Sequence, residues 1–204
     1  YKRQNMVIRF GIFDVGQVCY PYTLEPLDYL LQKRTVQKNI SKKSGVRTFD
    51  YNPFMKGLID FTQFCKDLCF HCEVTYSKDI ENLIDAAMHD GVGNYFDETL
   101  SVMSDLRSKG IEICLLSNAL PNLFDTAGSL TAKNRIFVSY ELGLLKPDVE
   151  IYKLVLEKLT AKPEEVIFVD DKLKNVEAAK SIGIKGIVFN KDTIREDVKK
   201  FVNC

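Results

Sequence analysis

A chain of 204 residues is long enough to bury roughly 70% of its unfolded surface in a core of its own, which excludes a peptide-sized or disulfide-dependent scaffold. Lys and Arg number 28 and Asp and Glu 28, so the formal net charge is zero and no overall field concentrates nucleic acid or an anionic membrane. The apolar runs at 111–116 and 166–169 fall far short of the roughly 20 residues that span a bilayer, and the basic start leads into a stretch broken at Arg9, unlike a secretory leader; the expectations are no nucleic acid, no membrane and a cytoplasmic protein.

The first predicted element is a β-rich segment, 7–13, that ends at Asp14 and meets Gly16 and Pro21, the pattern of a strand feeding a loop. From about 21 to 96 several helical patterns follow with no second buried strand, so this stretch reads as a helical insertion, with Pro21 and Gly91-Val92-Gly93 as hinge positions. Its basic residues Lys38, Lys42, Lys43 and Arg47 are expected on a solvated face. Phe61, Phe64, Cys65 and Leu68 recur at i, i+3, i+4 and i+7, which sets Cys65, Cys69 and Cys72 on or beside an apolar helix face. His71 stands between two of them, but no second cysteine pair is present to close a tetrahedral metal site, so buried thiols are expected.

Asp97 is placed to cap a helix bearing Leu100, Met103 and Leu106, which Gly110 would end. Strands follow at 111–116, ending at Ser117-Asn118, at 135–139, at 166–169, ending at Asp170-Asp171, and at 186–189. Between them, Pro147 would open a helix with Ile151, Leu154, Val155 and Leu159 on one stripe, and a helix from Leu173 to Ile182 would stop at Gly183. Near-continuous apolar strands alternating with amphipathic helices imply a doubly wound α/β domain, a parallel sheet covered on both faces. The expected division is a core of residues 1–20 and 97–204 with a helical insertion at 21–96.

In such a sheet ligands gather at the carboxyl ends of the strands, where the strand order reverses. Asp14, Ser117 and Asp170-Asp171 all fall at predicted carboxyl ends, and Lys146 lies just before a helix on the same side. Three carboxylates cluster stably only with a counter-charge. An all-oxygen donor set without nearby His or Cys points to Mg²⁺.

These residues also fall into four segments that resemble a known family. They are Phe13-Asp14-Val15-Gly16-Gln17-Val18, then Leu116-Ser117-Asn118, then Gly143-Leu144-Leu145-Lys146-Pro147-Asp148 followed by Ile151-Tyr152, and last Phe168-Val169-Asp170-Asp171 with Asn175, Ala178, Ala179 and Gly183 behind it. Their order, with spacings of 103, 29 and 24 residues between Asp14, Ser117, Lys146 and Asp170, resembles the haloacid dehalogenase superfamily of hydrolases, in its form with a helical cap inserted after the first strand.

The resemblance implies a Rossmann-like core and a Mg²⁺-dependent phosphatase acting on a small phosphorylated metabolite, such as a sugar phosphate, through an aspartyl-phosphate intermediate. Asp14 would be the nucleophile, and Mg²⁺ would be held by Asp14, the Gly16 carbonyl, Asp170 and Asp171. Ser117 and the Asn118 amide would bind the phosphoryl oxygens, and Lys146 would balance the charge. One position departs from the pattern: most phosphatases of the family carry a second aspartate two residues after the nucleophile, where this chain has Gly16. General acid–base help of that kind is worth about 10² to 10⁴ in rate. Gln17, Tyr20, Tyr22, His71 and His89 are the candidate substitutes. Two alternatives follow from the same position: a 2-haloacid dehalogenase, whose halide leaves without a proton, or a weakly catalytic member that binds a phosphorylated ligand or a protein.

Overall fold

A computed structural model describes residues 7–34, 45–121, 123 and 129–202. Five strands, β1 (Phe10–Phe13), β2 (Glu112–Ser117), β3 (Ile136–Val138), β4 (Val166–Asp170) and β5 (Lys185–Val188), form one sheet. Its order is β3-β2-β1-β4-β5, and every pairing is parallel. Helices α1 (Glu25–Arg34), α2 (Asn52–Met55), α3 (Phe61–His71), α4 (Lys78–Asp90) and α5 (Asp97–Ser108) lie between β1 and β2. Helices α6 (Ser139–Leu142) and α7 (Val149–Leu159) precede β4, α8 (Leu173–Ser181) precedes β5, and α9 (Ile194–Lys199) follows it. None of the described helices is long and apolar enough to cross a membrane.

The four residues of β1 are all buried because both faces of the central strand are covered. Phe10 and Ile12 join Ile151, Tyr152 and Val155 of α7 in one cluster. Phe13 joins Val102, Met103 and Leu106 of α5 and Ile194 and Val198 of α9 in another. The period of two in a strand sends alternate side chains to opposite layers, and each large side chain so buried contributes roughly 1.5–3 kcal/mol. Phe13 pairs with Leu115 on one side and with Val169 on the other. The next residues along the three strands, Asp14, Leu116 and Asp170, therefore come to a single edge of the sheet.

The helices between β1 and α5 have a core of their own. Leu27 and Leu31 of α1, Phe64 and Leu68 of α3 and Ile84 and Met88 of α4 are buried together. The rings of Phe54 and Phe64 stack at 4.4 Å. The Asp60 and Ser77 side chains cap α3 and α4 by accepting from Gln63 N and Ile80 N, each such cap being worth about 1 kcal/mol. Leu120 and Leu123, which follow β2, pack into this same cluster, so the sheet and the inserted helices share a boundary of apolar side chains.

The two chain crossings between them run antiparallel. Thr23 N donates to Gly91 O at 3.0 Å and Gly93 N to Pro21 O at 2.9 Å, around a bridge between Tyr22 and Val92. A Cβ at Gly91 would lie 2.1 Å from Thr23 O, and one at Gly93 2.6 Å from Pro21 Cγ. Only glycine permits so close an approach.

Several local expectations shift. Asp97 is the first helical residue of α5 and the cap position is Phe96, with no side-chain cap bond; the buried stripe runs through Thr99, Val102, Met103 and Leu106 and leaves Leu100 half-buried. Pro147, joined to Lys146 by a cis peptide, precedes the true cap, Asp148, whose side chain accepts from Glu150 N. The apolar face of α7 accordingly includes Tyr152 and Leu156, with Leu154 at its margin. Gly110 and Gly183 do take positive φ, 76° and 96°, where α5 and α8 have ended. Cys65, Cys69 and Cys72 are free and buried, and burial pushes the Cys69 and Cys72 thiols up to about 11. Arg47 is exposed; Lys38, Lys42, Lys43 and Cys204 lie outside the described residues.

Candidate active site

Asp14 leaves β1 with its N–H donating to Val169 O at 2.8 Å, so the sheet ladder fixes its backbone one step beyond the strand. The loop that follows coils back on itself: Cys19 N donates to Val15 O at 2.8 Å and Gln17 N to Tyr20 O at 2.7 Å, with Gln17 at φ 64°. The Gln17 side-chain amide donates to Tyr22 O at 2.6 Å. Residues 14 to 22 are thereby held as a unit at the mouth of the sheet.

Lys146 is 4% exposed and all three of its ammonium protons are committed. Its Nζ lies 2.8 Å from Asp14 Oδ1, 2.7 Å from Asp170 Oδ2 and 2.8 Å from Leu116 O. These acceptors are the three residues that the strand register brings to one edge. The backbone of Lys146 is gripped as well: its N–H donates to Asn118 Oδ1 and its carbonyl accepts from Asn118 Nδ2, both at 2.9 Å. The Asn118 side chain therefore positions Lys146. Ser117, 7% exposed at the end of β2, faces the same cavity.

Asp170 is fully buried and saturated with donors. Besides Lys146 it accepts from Lys172 N at 2.9 Å and from Asn175 Nδ2 at 2.9 and 3.0 Å. Asn175 is in turn fixed by Tyr152, whose hydroxyl donates to its carbonyl oxygen at 2.9 Å. Asp171 differs: its Oδ1 is buried and has no hydrogen-bond partner. Carboxylate oxygens of Asp14, Asp170 and Asp171 lie within 4.8 Å of one another.

The electrostatics follow from this crowding. Burial pushes the Asp14 carboxyl from 3.8 up to about 6, with Lys146 opposing and Asp170 adding to the rise. Burial also raises Asp171, opposed by Lys172 and reinforced by Asp170. Burial alone would lower the Lys146 ammonium, but the facing Asp14 and Asp170 carboxylates outweigh it and hold it above the ordinary lysine value. With Lys146 the buried cation and Lys172 an exposed one, three carboxylates still leave the cluster short of positive charge. An all-oxygen set of this kind, with one buried oxygen lacking any donor, fits a hard divalent cation.

A cavity of about 490 Å³ opens over this cluster. The sequence-predicted residues Asp14, Gly16, Ser117, Asn118, Lys146 and Asp171 line it, while Asp170 lies behind them in its buried bonds to Lys146 and Asn175. Of the candidate substitutes for the missing aspartate, Gln17, Tyr20 and Tyr22 line the cavity. His71 contacts Thr48 Oγ1 at 3.0 Å and His89 pairs with Asp85; neither is in the cavity wall. A Cβ added at Gly16 would meet only the Tyr22 Cβ, at 4.0 Å, so a side chain there is not sterically barred. Sequence reasoning placed Tyr152 behind the third segment without a role, and missed Ser139. The Ser139 hydroxyl accepts from Ala119 N at 3.1 Å and so fixes the turn after Asn118, a contact between the turn after β2 and the start of α6 that no local pattern announces.

A family model of haloacid dehalogenase-like hydrolases matches residues 72–183. The chain is 25% identical over 220 residues to bifunctional epoxide hydrolase 2 of Sus scrofa, an alignment spanning 96% of this chain and 39% of that protein's length. A phosphorylated carbohydrates phosphatase of Thermotoga maritima is 57% identical over 42 residues, 21% of this chain and 19% of that protein. Among solved structures, a HAD family enzyme from Bacteroides thetaiotaomicron in complex with magnesium and inorganic phosphate superposes with a TM-score of 0.73 at 23% identity, covering 90% of this chain and 95% of that one. At that identity the likeness shows a shared fold.

Proposed function

Because this chain belongs to the haloacid dehalogenase-like hydrolase family, we propose that it is a Mg²⁺-dependent phosphatase of a small phosphorylated metabolite, with Asp14 as nucleophile. The observation that carries this reading is the unpartnered, buried Oδ1 of Asp171 beside the Asp14 carboxylate. Burying an acceptor without a partner costs about 1–3 kcal/mol or more when charged, and a divalent cation relieves it. A metal-free displacement at carbon has no use for that arrangement. Asp14, Asp171 and the Gly16 carbonyl would hold the Mg²⁺, while Asp170, its oxygens already taken by Lys146, Lys172 N and Asn175, anchors Lys146. When bound, Mg²⁺ supplies the positive charge that lets an anionic nucleophile approach an anionic phosphoryl group.

The remaining chemistry belongs to the chain. An Asp14 oxygen bonds to phosphorus as the bond to the leaving oxygen breaks, and that oxygen takes up a proton from water. Water then cleaves the acyl phosphate, returning Asp14 and releasing inorganic phosphate. Lys146 orients Asp14 and holds it ionised, while the Ser117 hydroxyl and the Asn118 backbone amide receive the phosphoryl oxygens. The helices of residues 21–96 serve as a cap over the strand ends and exclude bulk water. Gly16 supplies no proton donor, so leaving-group protonation limits the rate for poor leaving groups.

Phosphate release from a panel of phosphomonoesters, with Mg²⁺ or with EDTA, tests the reading. Turnover that requires Mg²⁺ and vanishes in Asp14→Asn is the expected result. Release of halide from a 2-haloacid in EDTA, without phosphate release, would overturn it in favour of a dehalogenase.

A further inference from the structure

Resting on the phosphatase reading, we propose that the site takes monophosphate esters of uncharged, predominantly apolar alcohols, and discriminates against sugar phosphates. The cavity wall is divided. Its charged side chains among the described residues are Asp14, Asp171 and Lys172, from just beyond β1 and β4, and Lys146, from the loop between α6 and α7. The opposite half is built from Tyr22, Leu24, Tyr51, Met55, Leu120 and Leu123, contributed by the first crossing, by α2 with its cap residue and by the turn after β2. No charged side chain among the described residues enters that half to pair with a second phosphate, a carboxylate or an amine.

Hydrogen-bonding capacity is also scarce there. The Tyr51 hydroxyl is spent on Val46 O at 3.0 Å. The Tyr22 hydroxyl is buried without a partner, and burial raises its phenol to about 12, so it remains a neutral donor able to meet one oxygen. A sugar carries several hydroxyls, and each one buried without a partner is penalised. An aliphatic or aromatic group of similar size gains from the same walls. A volume of about 490 Å³ falls in the range of about 300–1,000 Å³ usual for small-molecule sites, and accommodates the phosphoryl group with an organic tail.

The test measures kcat/KM with Mg²⁺ for butyl, hexyl and octyl phosphate and for glucose 6-phosphate. Each added methylene is expected to raise kcat/KM about four-fold, and glucose 6-phosphate to fall about 100-fold or more below hexyl phosphate. Met55→Glu is expected to flatten the chain-length dependence by acting most strongly on octyl phosphate. A sugar phosphate turned over as well as hexyl phosphate overturns the substrate class and leaves the phosphatase reading standing. Release of phosphate from none of the esters overturns that reading itself. In that case thermal stabilisation by the alkyl phosphates with Mg²⁺, growing with chain length, upholds the apolar site as a binding site, and its absence overturns both.

Discussion

Replacing Lys146 by methionine keeps most of the side-chain volume and removes one buried charge with three close contacts, at 2.8, 2.7 and 2.8 Å. Asp14 and Asp170 remain, buried and without their cation. Breaking a buried pair in this way costs about 3–5 kcal/mol, which for a chain of this length lowers Tm by roughly 6–20 °C. The pH dependence has a definite sign. Burial has already pushed Asp14 from 3.8 up to about 6, and Lys146 is the neighbour that opposes the rise. A carboxyl raised on folding holds a proton that the unfolded chain has lost, so its effect on stability worsens as pH climbs from 3.8 to the folded value and is level above it. Without Lys146 that window extends to higher pH, so the deficit of the variant is largest at pH 8 and shrinks toward pH 5 as the carboxyls are neutralised. Mg²⁺ restores part of the stability by supplying positive charge, but not the orientation of Asp14, so activity stays lost. Thermal or denaturant unfolding of both proteins in EDTA at pH 5 and pH 8, and then with Mg²⁺, measures all of this. A variant as stable as the wild type at pH 8 without metal, or a deficit that deepens on acidification, would refute the reasoning.

Asp14→Asn moves in the opposite direction: in EDTA at pH 8 it is expected to gain up to about 3 kcal/mol over the wild type, the equivalent of a carboxyl held near 6 instead of 3.8, and the gain shrinks below pH 6. Asp171→Asn is expected to abolish stabilisation by Mg²⁺ and, since burial raises this carboxyl too, to gain metal-free stability at pH 8. Asp170→Asn, which weakens the bond to Lys146, loses metal-free stability; melts with and without Mg²⁺ separate the two. Gly16→Asp fits the open space at that position and is expected to accelerate hydrolysis of alkyl phosphates by about 10² or more by donating the missing proton, with little effect on esters of acidic phenols; equal rates for both classes before and after would count against the assignment. Finally, Cys19, Cys65, Cys69, Cys72 and Cys114 are expected to resist alkylation at pH 7, since burial raises each thiol; mass mapping of a fast-labelled site among them would contradict this.

The parallel sheet was legible in the sequence because a strand covered on both faces must be apolar along its length, and the runs around Ile12, Leu115 and Val169 have that property without any help from distant residues. The buried thiols of α3 were legible for the same kind of reason: the helical period places Cys65 beside Phe64 and Leu68 whatever packs against them. Helix starts were less so. Asp97 and Pro147 are acceptable at several positions of a first turn, and which residue caps depends on how the preceding segment arrives, as Phe96 and Asp148 show.

At the site, sequence alone determined that Asp14, Ser117 and the Asp170-Asp171 pair would come to one edge, since strand ends in a parallel sheet share a side; Lys146, in the loop between α6 and α7, is joined to them by its bonds to Asp14 and Asp170. What each group does there was decided by tertiary structure. The strand register aligned Asp14, Leu116 and Asp170 as the three acceptors of one ammonium; the Asn118 side chain was bound to the backbone of Lys146; and Asn175 and Lys172 N filled Asp170 while Asp171 kept an empty oxygen. The reason is that adjacent aspartates are chemically identical in a sequence and become different only when burial and the supply of donors, both set by residues far along the chain, satisfy one and leave the other in need of a cation.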